Sequence, residues 1–132
     1  MFGSKVAKSP LGIFCDQLIA FFKELSETYP EERDIRLALE GIEGARKINP
    51  RLILDIFVDA VQKPLHEAIL AEDEAVVLGY AKNTIASKYN EISPALAIFD
   101  KYWHTMSGNN RNIIWQYLKT LTLLAEKISK SA

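Results

Sequence analysis

Five prolines divide this 132-residue chain, and four of them stand where helices begin. Ser9-Pro10, Asn49-Pro50 and Ser93-Pro94 each set a capping side chain before a proline, and Tyr29-Pro30-Glu31-Glu32 sets acids directly after one. Proline fits the first turn of a helix, where its missing N–H has no partner to lose and its fixed φ is already helical. A Ser or Asn ahead of it can accept from a free N–H of that turn. The residue before a proline is also biased out of the helical region, so these sites close one helix as they open the next. The pieces between them are of helix length, and short connections favour antiparallel neighbours. No stretch alternates like a strand, and no repeat of roughly 20 to 50 residues occurs. The expected fold is all-α, a single-domain bundle of five or six antiparallel helices over residues 10–132, with residues 1–9 as a flexible N-terminal arm.

Apolar spacing of three and four predicts each helix in turn. Leu11, Phe14, Leu18, Phe21, Phe22 and Leu25 give helix one over 11–28. Helix two is expected from Pro30, with acids in its first turn, Arg46-Lys47 in its last, and i,i+4 pairs Glu32–Arg36 and Glu43–Lys47. Its stripe is thin: Ile35, Leu39, Ile42 and marginally Ile48. Gly41 and Gly44 each cost about 1 kcal/mol inside a helix, which points to close approach of a neighbouring helix or to a surface kept bare for a partner. Helix three, from Pro50, carries Ile53, Ile56, Phe57, Ala60 and Val61, with Leu52, Leu54 and Val58 widening the stripe. That width suits a central helix touched on two sides. Pro64 predicts a kink or break near Lys63, followed by a short continuation over 65–70. Asp73 is placed to cap helix four, with Val76, Val77, Tyr80, Ala81, Ile85 and Tyr89, fading at Tyr89-Asn90. Helix five carries Leu96, Phe99, Tyr102 and Trp103. Helix six, about 108–129, is capped by Ser107 and carries Ile114, Tyr117, Leu118, Leu121, Leu124, Ala125 and Ile128. It is the longest piece, and the others are expected to pack along it.

With 48% apolar and 25% charged residues the chain has enough to bury a core. Its formal charge of −1 argues against a dedicated nucleic-acid binder. Cys15 is the one cysteine, so no intrachain disulfide and no Cys-based metal site is expected. No apolar run approaches the roughly 18 residues of a membrane span, and MFGSKVAKSP has no apolar region of the signal-peptide kind. Phe2 after Met1 excludes N-myristoylation. A cytoplasmic, non-secreted protein is the expectation.

Catalytic chemistry finds little to stand on. His66-Glu67 starts like the zinc-protease helix His-Glu-x-x-His, but the second ligand's position is Leu70. His104, beside Trp103 at the end of helix five, is suited to the last carbonyls of that helix. Cys15 lies on an apolar stripe, where a thiol behaves as a small apolar group. Glu67, Glu72, Asp73 and Glu74 form a solvated acidic corner, and Gly108-Asn109-Asn110 with Arg111 is a weak anion nest lacking a preceding strand. The sequence therefore gives no catalytic residue, no metal ligand and no cofactor. Trp103 and Trp115 are expected to pack across the Gly108 turn, with Arg111 at i,i+4 from Trp115 as a cation–π partner.

Helices three and six show more apolar surface than one side can bury. Leu52, Leu54 and Val58 on the first, and Ile113, Trp115 and Leu123 on the second, join Trp103 and Arg111 as partner-interface candidates. The function expected is a non-enzymatic helical interaction module that forms a homo-oligomer or binds a protein partner. The alternative is a nucleic-acid-binding accessory protein using Lys101, Arg111, Lys119 and Lys127 beside the aromatics, with salt-sensitive affinity. Nucleic acid is the less favoured partner, because base stacking needs a wider basic surface.

The layout FDKYWHTMSGNNRNIIWQYLKTLTLLAEKI, with Trp103, Ser107, Ile114-Trp115, Tyr117-Leu118 and Thr120-Leu121, resembles the C-terminal segment of small helical proteins of large eukaryotic DNA viruses. FFKELSETYP near the N-terminus fits the same style. The resemblance implies a viral source and a role in the virion or virus factory in the host cytoplasm. It transfers no catalytic residue.

Overall fold

The computed structural model describes residues 9–87 and 93–131, with side chains for 9–84 and 93–130. The fold is all-α, with no strand among the described residues. Helix α1 is Pro10–Thr28 and α2 is Arg33–Ile48. Helix α3, Pro50–Phe57, runs through a π-helical turn, Val58–Gln62, into α4, Lys63–Leu70. Then come α5, Glu74–Ser87; α6, Ser93–Tyr102; a 3-10 turn, Trp103–Thr105; and α7, Gly108–Ser131. Residues 1–8 of the arm expected over 1–9, the Ile85 and Tyr89 side chains and the fading at Tyr89-Asn90 lie outside the described residues.

Three helix starts follow the capping chemistry. The Gly12 N–H donates to Ser9 Oγ at 3.0 Å, the Val76 N–H to Asp73 Oδ1 at 3.3 Å and the Asn110 N–H to Ser107 Oγ at 3.1 Å. Helix α2 departs from expectation and begins at Arg33, three residues after Pro30. The Glu32 N–H closes a turn onto the Tyr29 carbonyl at 3.0 Å, and Arg36 Nη1 donates to the Pro30 carbonyl at 2.5 Å. The Glu31 and Glu32 carboxylates turn to α6, so the expected Glu32–Arg36 pair does not form.

Pro64 does not break the helix, and the irregularity expected near Lys63 takes the form of the π-helical turn just before it. The Lys63 N–H reaches back five residues to the Val58 carbonyl, and this widened turn accommodates the proline ring. Four residues before Pro64, the Ala60 carbonyl has no N–H of residue 64 to accept. Its donor comes from another helix: the Tyr80 hydroxyl of α5. A local backbone defect thus becomes a tie between the π turn and α5.

Helix α7 is the longest at 24 residues, roughly 36 Å at 1.5 Å per residue. The hub, however, is α1, which packs on α2, α3 and α7. It buries Phe14, Cys15, Leu18, Phe21, Phe22 and Leu25, each large apolar group contributing about 1.5–3 kcal/mol. Phe14 meets Phe57 of α3 edge-on, centroids 5.2 Å apart, and Phe21 meets Tyr117 of α7 at 5.1 Å. Helices α4 and α7 run antiparallel, since His66 pairs with Glu126 while Glu72, further on, pairs back with Lys119. Arg46 of α2 clamps Asp16 of α1 and so seats the last turn of α2 against the second turn of α1.

Candidate functional site

Helix α2 has two faces. Ile35, Ala38 and Ile42 are buried against the hub. On the solvent side Leu37, Gly41, Gly44 and Ile48 recur at spacings of four, three and four, which line them along one stripe. Leu37 is 55% exposed and Ile48 is 87% exposed. Leu52, 47% exposed, stands beside them at the start of α3. A small apolar recess of about 30 Å³ joins Gly41 and Ala45 to Leu52 and Ile56. A Cβ added at Gly41 or at Gly44 would meet nothing within 4 Å. Close approach of a neighbouring helix therefore does not explain these glycines. Ile48, read as a marginal core residue, is the most exposed large apolar side chain among the described residues.

The candidates read from the sequence scatter. Of the eight interface candidates, Leu54, Trp103 and Trp115 are buried in the core and present no surface. Val58 is half-buried and packs on the same core. Ile113 is half-buried and lines a shallow groove between α1 and α7 with Gln17, Glu24, Gln116, Tyr117 and Thr120. Leu52 and Leu123 are exposed, the latter at 51%. The second stripe of helix three is thus mostly covered from inside, because a central helix meets neighbours on two sides. Of the two valines placed in the apolar stripe of helix four, Val77 is buried as expected and Val76 is exposed.

The turn between α6 and α7 is tightly built. Trp103 and Trp115 meet edge to face at 5.5 Å, and Phe99 stacks on Trp103 at 5.1 Å. Arg111 sits over the Trp103 ring at 5.3 Å, whereas the sequence pointed it at Trp115. Its Nε and Nη2 both donate to the Trp103 carbonyl, at 2.9 and 2.6 Å. Thr105 Oγ1 caps the Tyr102 carbonyl at 3.1 Å. These two residues satisfy the end of α6, the task expected of His104, which is exposed.

The other cations suggested for nucleic acid are also engaged. Lys101 Nζ lies 2.7 Å from Glu32 Oε2, Lys119 pairs with Glu72 at 2.5 Å, and Lys127 makes an interaction of its own. The Tyr102 hydroxyl donates to Glu32 Oε2 at 2.6 Å and to Glu31 Oε2 at 3.1 Å, while its ring stacks on Tyr29 at 4.3 Å. That latch fastens α6 to the α1–α2 turn. It pushes the Tyr102 phenol up to about 12, chiefly through the hydrogen bond to Glu32. Glu32 is held below the usual carboxylate range, first by Lys101 and then by Tyr102. Burial pushes the Cys15 thiol up, in keeping with a packing role. His66 Nε2 stands 3.6 Å from Glu126 Oε1, and Lys130 holds that carboxylate below its usual range. Among the described residues no three His, Cys, Asp or Glu side chains gather into a set able to hold a metal ion. No helix is long and apolar enough to cross a membrane among the described residues. No protein-family model matches the sequence, nor does any curated protein or solved structure.

Proposed function

We propose that this chain is a non-enzymatic helical interaction module whose working surface is the outer face of α2 with Leu52 beside it. One observation carries the reading: Leu37, Ile48 and Leu52 stay exposed in a single apolar strip around two glycines that the chain's own packing does not require. Each glycine costs the isolated helix up to about 1 kcal/mol relative to alanine. Covering the three large side chains would contribute on the order of 3 to 5 kcal/mol, before the cost of association. Contiguous exposed apolar surface of this kind marks an interaction site more often than it marks chance. The resemblance of the C-terminal segment makes a virion or virus-factory component the setting we propose.

The test compares wild type with a Leu37→Asp/Ile48→Asp variant, immobilised for affinity capture and free for sedimentation. A second chain, of this sequence or another, is held by wild type and released by the variant. A wild type that sediments as a monomer at ~1 mM, near the weakest useful affinity, and captures nothing beyond what the variant captures ends the reading.

A further inference from the structure

The α2 stripe is complementary to itself, and we infer that its occupant is a second copy of this chain, packed α2 against α2 in antiparallel orientation. The two-fold axis passes between Gly41 and Gly44. This rests on the interaction reading and names its partner. Spacings of four, three and four are those of a coiled-coil seam. Reversed in direction, the pattern maps onto itself: Gly41 faces the partner's Gly44, and Leu37 faces the partner's Ile48. An interface between identical copies about a two-fold axis needs this self-matching. The glycines leave the crossing point without Cβ atoms, so the two backbones can approach more closely than the usual 8–10 Å between helix axes.

Charge selects the direction. Glu40 and Lys47 stand seven residues apart on one flank of the stripe, and both are exposed. Neither makes an ion pair or hydrogen bond through its side chain among the described residues. In an antiparallel pair, equivalent flanks face each other, so Glu40 meets the partner's Lys47 and Lys47 meets the partner's Glu40. A parallel pair would set each flank against the partner's opposite flank, Glu40 beside the partner's Ala45, and would form neither charge pair. The observed order favours the antiparallel copy, the one arrangement of the two that brings these opposite charges together.

Two sets of variants test this by sedimentation equilibrium, with circular dichroism melts to confirm folding. Glu40→Lys and Lys47→Glu each turn both cross-pairs repulsive and should weaken association roughly ten-fold or more. An equimolar mixture of the two single variants should recover wild-type affinity, because one brings two lysines and the other two glutamates. The double exchange in one chain should recover it too. Gly41→Ala/Gly44→Ala moves two readouts in opposite directions. The single chain should melt higher, since the added methyls meet nothing in it. Association should weaken by at least roughly ten-fold, since they meet each other across the seam. Charge variants that associate like wild type, a mixture that does not recover, or a glycine variant that associates undiminished would each overturn the antiparallel copy. A wild type that stays monomeric to ~1 mM yet captures a different chain through Leu37 and Ile48 overturns the copy and leaves the interaction reading standing. If it captures nothing, both fall.

Discussion

Tyr80 takes over a duty that the backbone at residue 64 cannot perform, and this can be measured as a coupling. Tyr80→Phe removes the hydroxyl that donates to the Ala60 carbonyl and keeps the ring. Ala60 is buried, so its carbonyl is left short of a partner, at a cost of about 1 to 2 kcal/mol. In a Pro64→Ala background the new residue brings an N–H within one helical turn of the same carbonyl. The hydroxyl then becomes dispensable, and Tyr80→Phe should cost roughly 0.5 kcal/mol or less, a coupling of about 1 kcal/mol. Urea unfolding of the four proteins reads this out through the fluorescence of Trp103 and Trp115, both buried. A loss of 1 kcal/mol should appear as roughly 3–5 °C in the melting temperature of a chain this size. Equal losses in the two backgrounds would refute the idea that a side chain of α5 stands in for the missing donor.

Arg111→Ala removes both donors to the Trp103 carbonyl and should destabilise by about 1.5 to 3 kcal/mol. Arg111→Lys should recover less than half of that, because an ammonium cannot present the same planar fork; urea midpoints of the two variants decide it. The Tyr102 phenol, raised by Glu32, lends stability that is complete below the ordinary tyrosine value near 10 and is lost as pH rises through about 12. Glu32 has the opposite sense: its contribution is complete above the ordinary glutamate value and lost as pH falls through its lowered one. Absorbance titration should show Tyr102 returning toward 10 in Glu32→Gln, and an unchanged titration would break the latch reading. Cys15, fully buried, should react with a thiol reagent only through unfolding, so its labelling rate should rise with urea in step with the fraction unfolded.

Helix starts were legible because each has a local chemical cause. Ser9, Asp73 and Ser107 bond the first turns as their side chains dictate. The start of α2 was not legible, since Glu31 and Glu32 leave their own helix to serve Tyr102 and Lys101, a long-range contact that spacing cannot reveal. The same limit governs the candidate surface. A wide stripe of Leu52, Leu54 and Val58 signals a helix with two neighbours or one with a free side, and only packing separates the two. Here packing buries Leu54 and leaves Leu52 exposed. The stripe on α2 was written in the sequence as Leu37, Gly41, Gly44 and Ile48. It is hard to see because its two middle members have no side chain to count as apolar. The cost of two glycines inside one helix was the available signal, and it pointed to a bare surface or to a close neighbour.

Hydroxyl-radical footprinting of Leu37 and Ile48, as the protein is concentrated from ~1 µM to ~1 mM, interrogates the α2 surface residue by residue. Leu123, 51% exposed on α7, serves as the internal standard. Leu37 and Ile48 should become protected together while Leu123 keeps its reactivity. Should both remain as reactive as Leu123 across the whole range, the outer face of α2 is open surface and the assignment of the chain as a self-associating module through that helix is wrong.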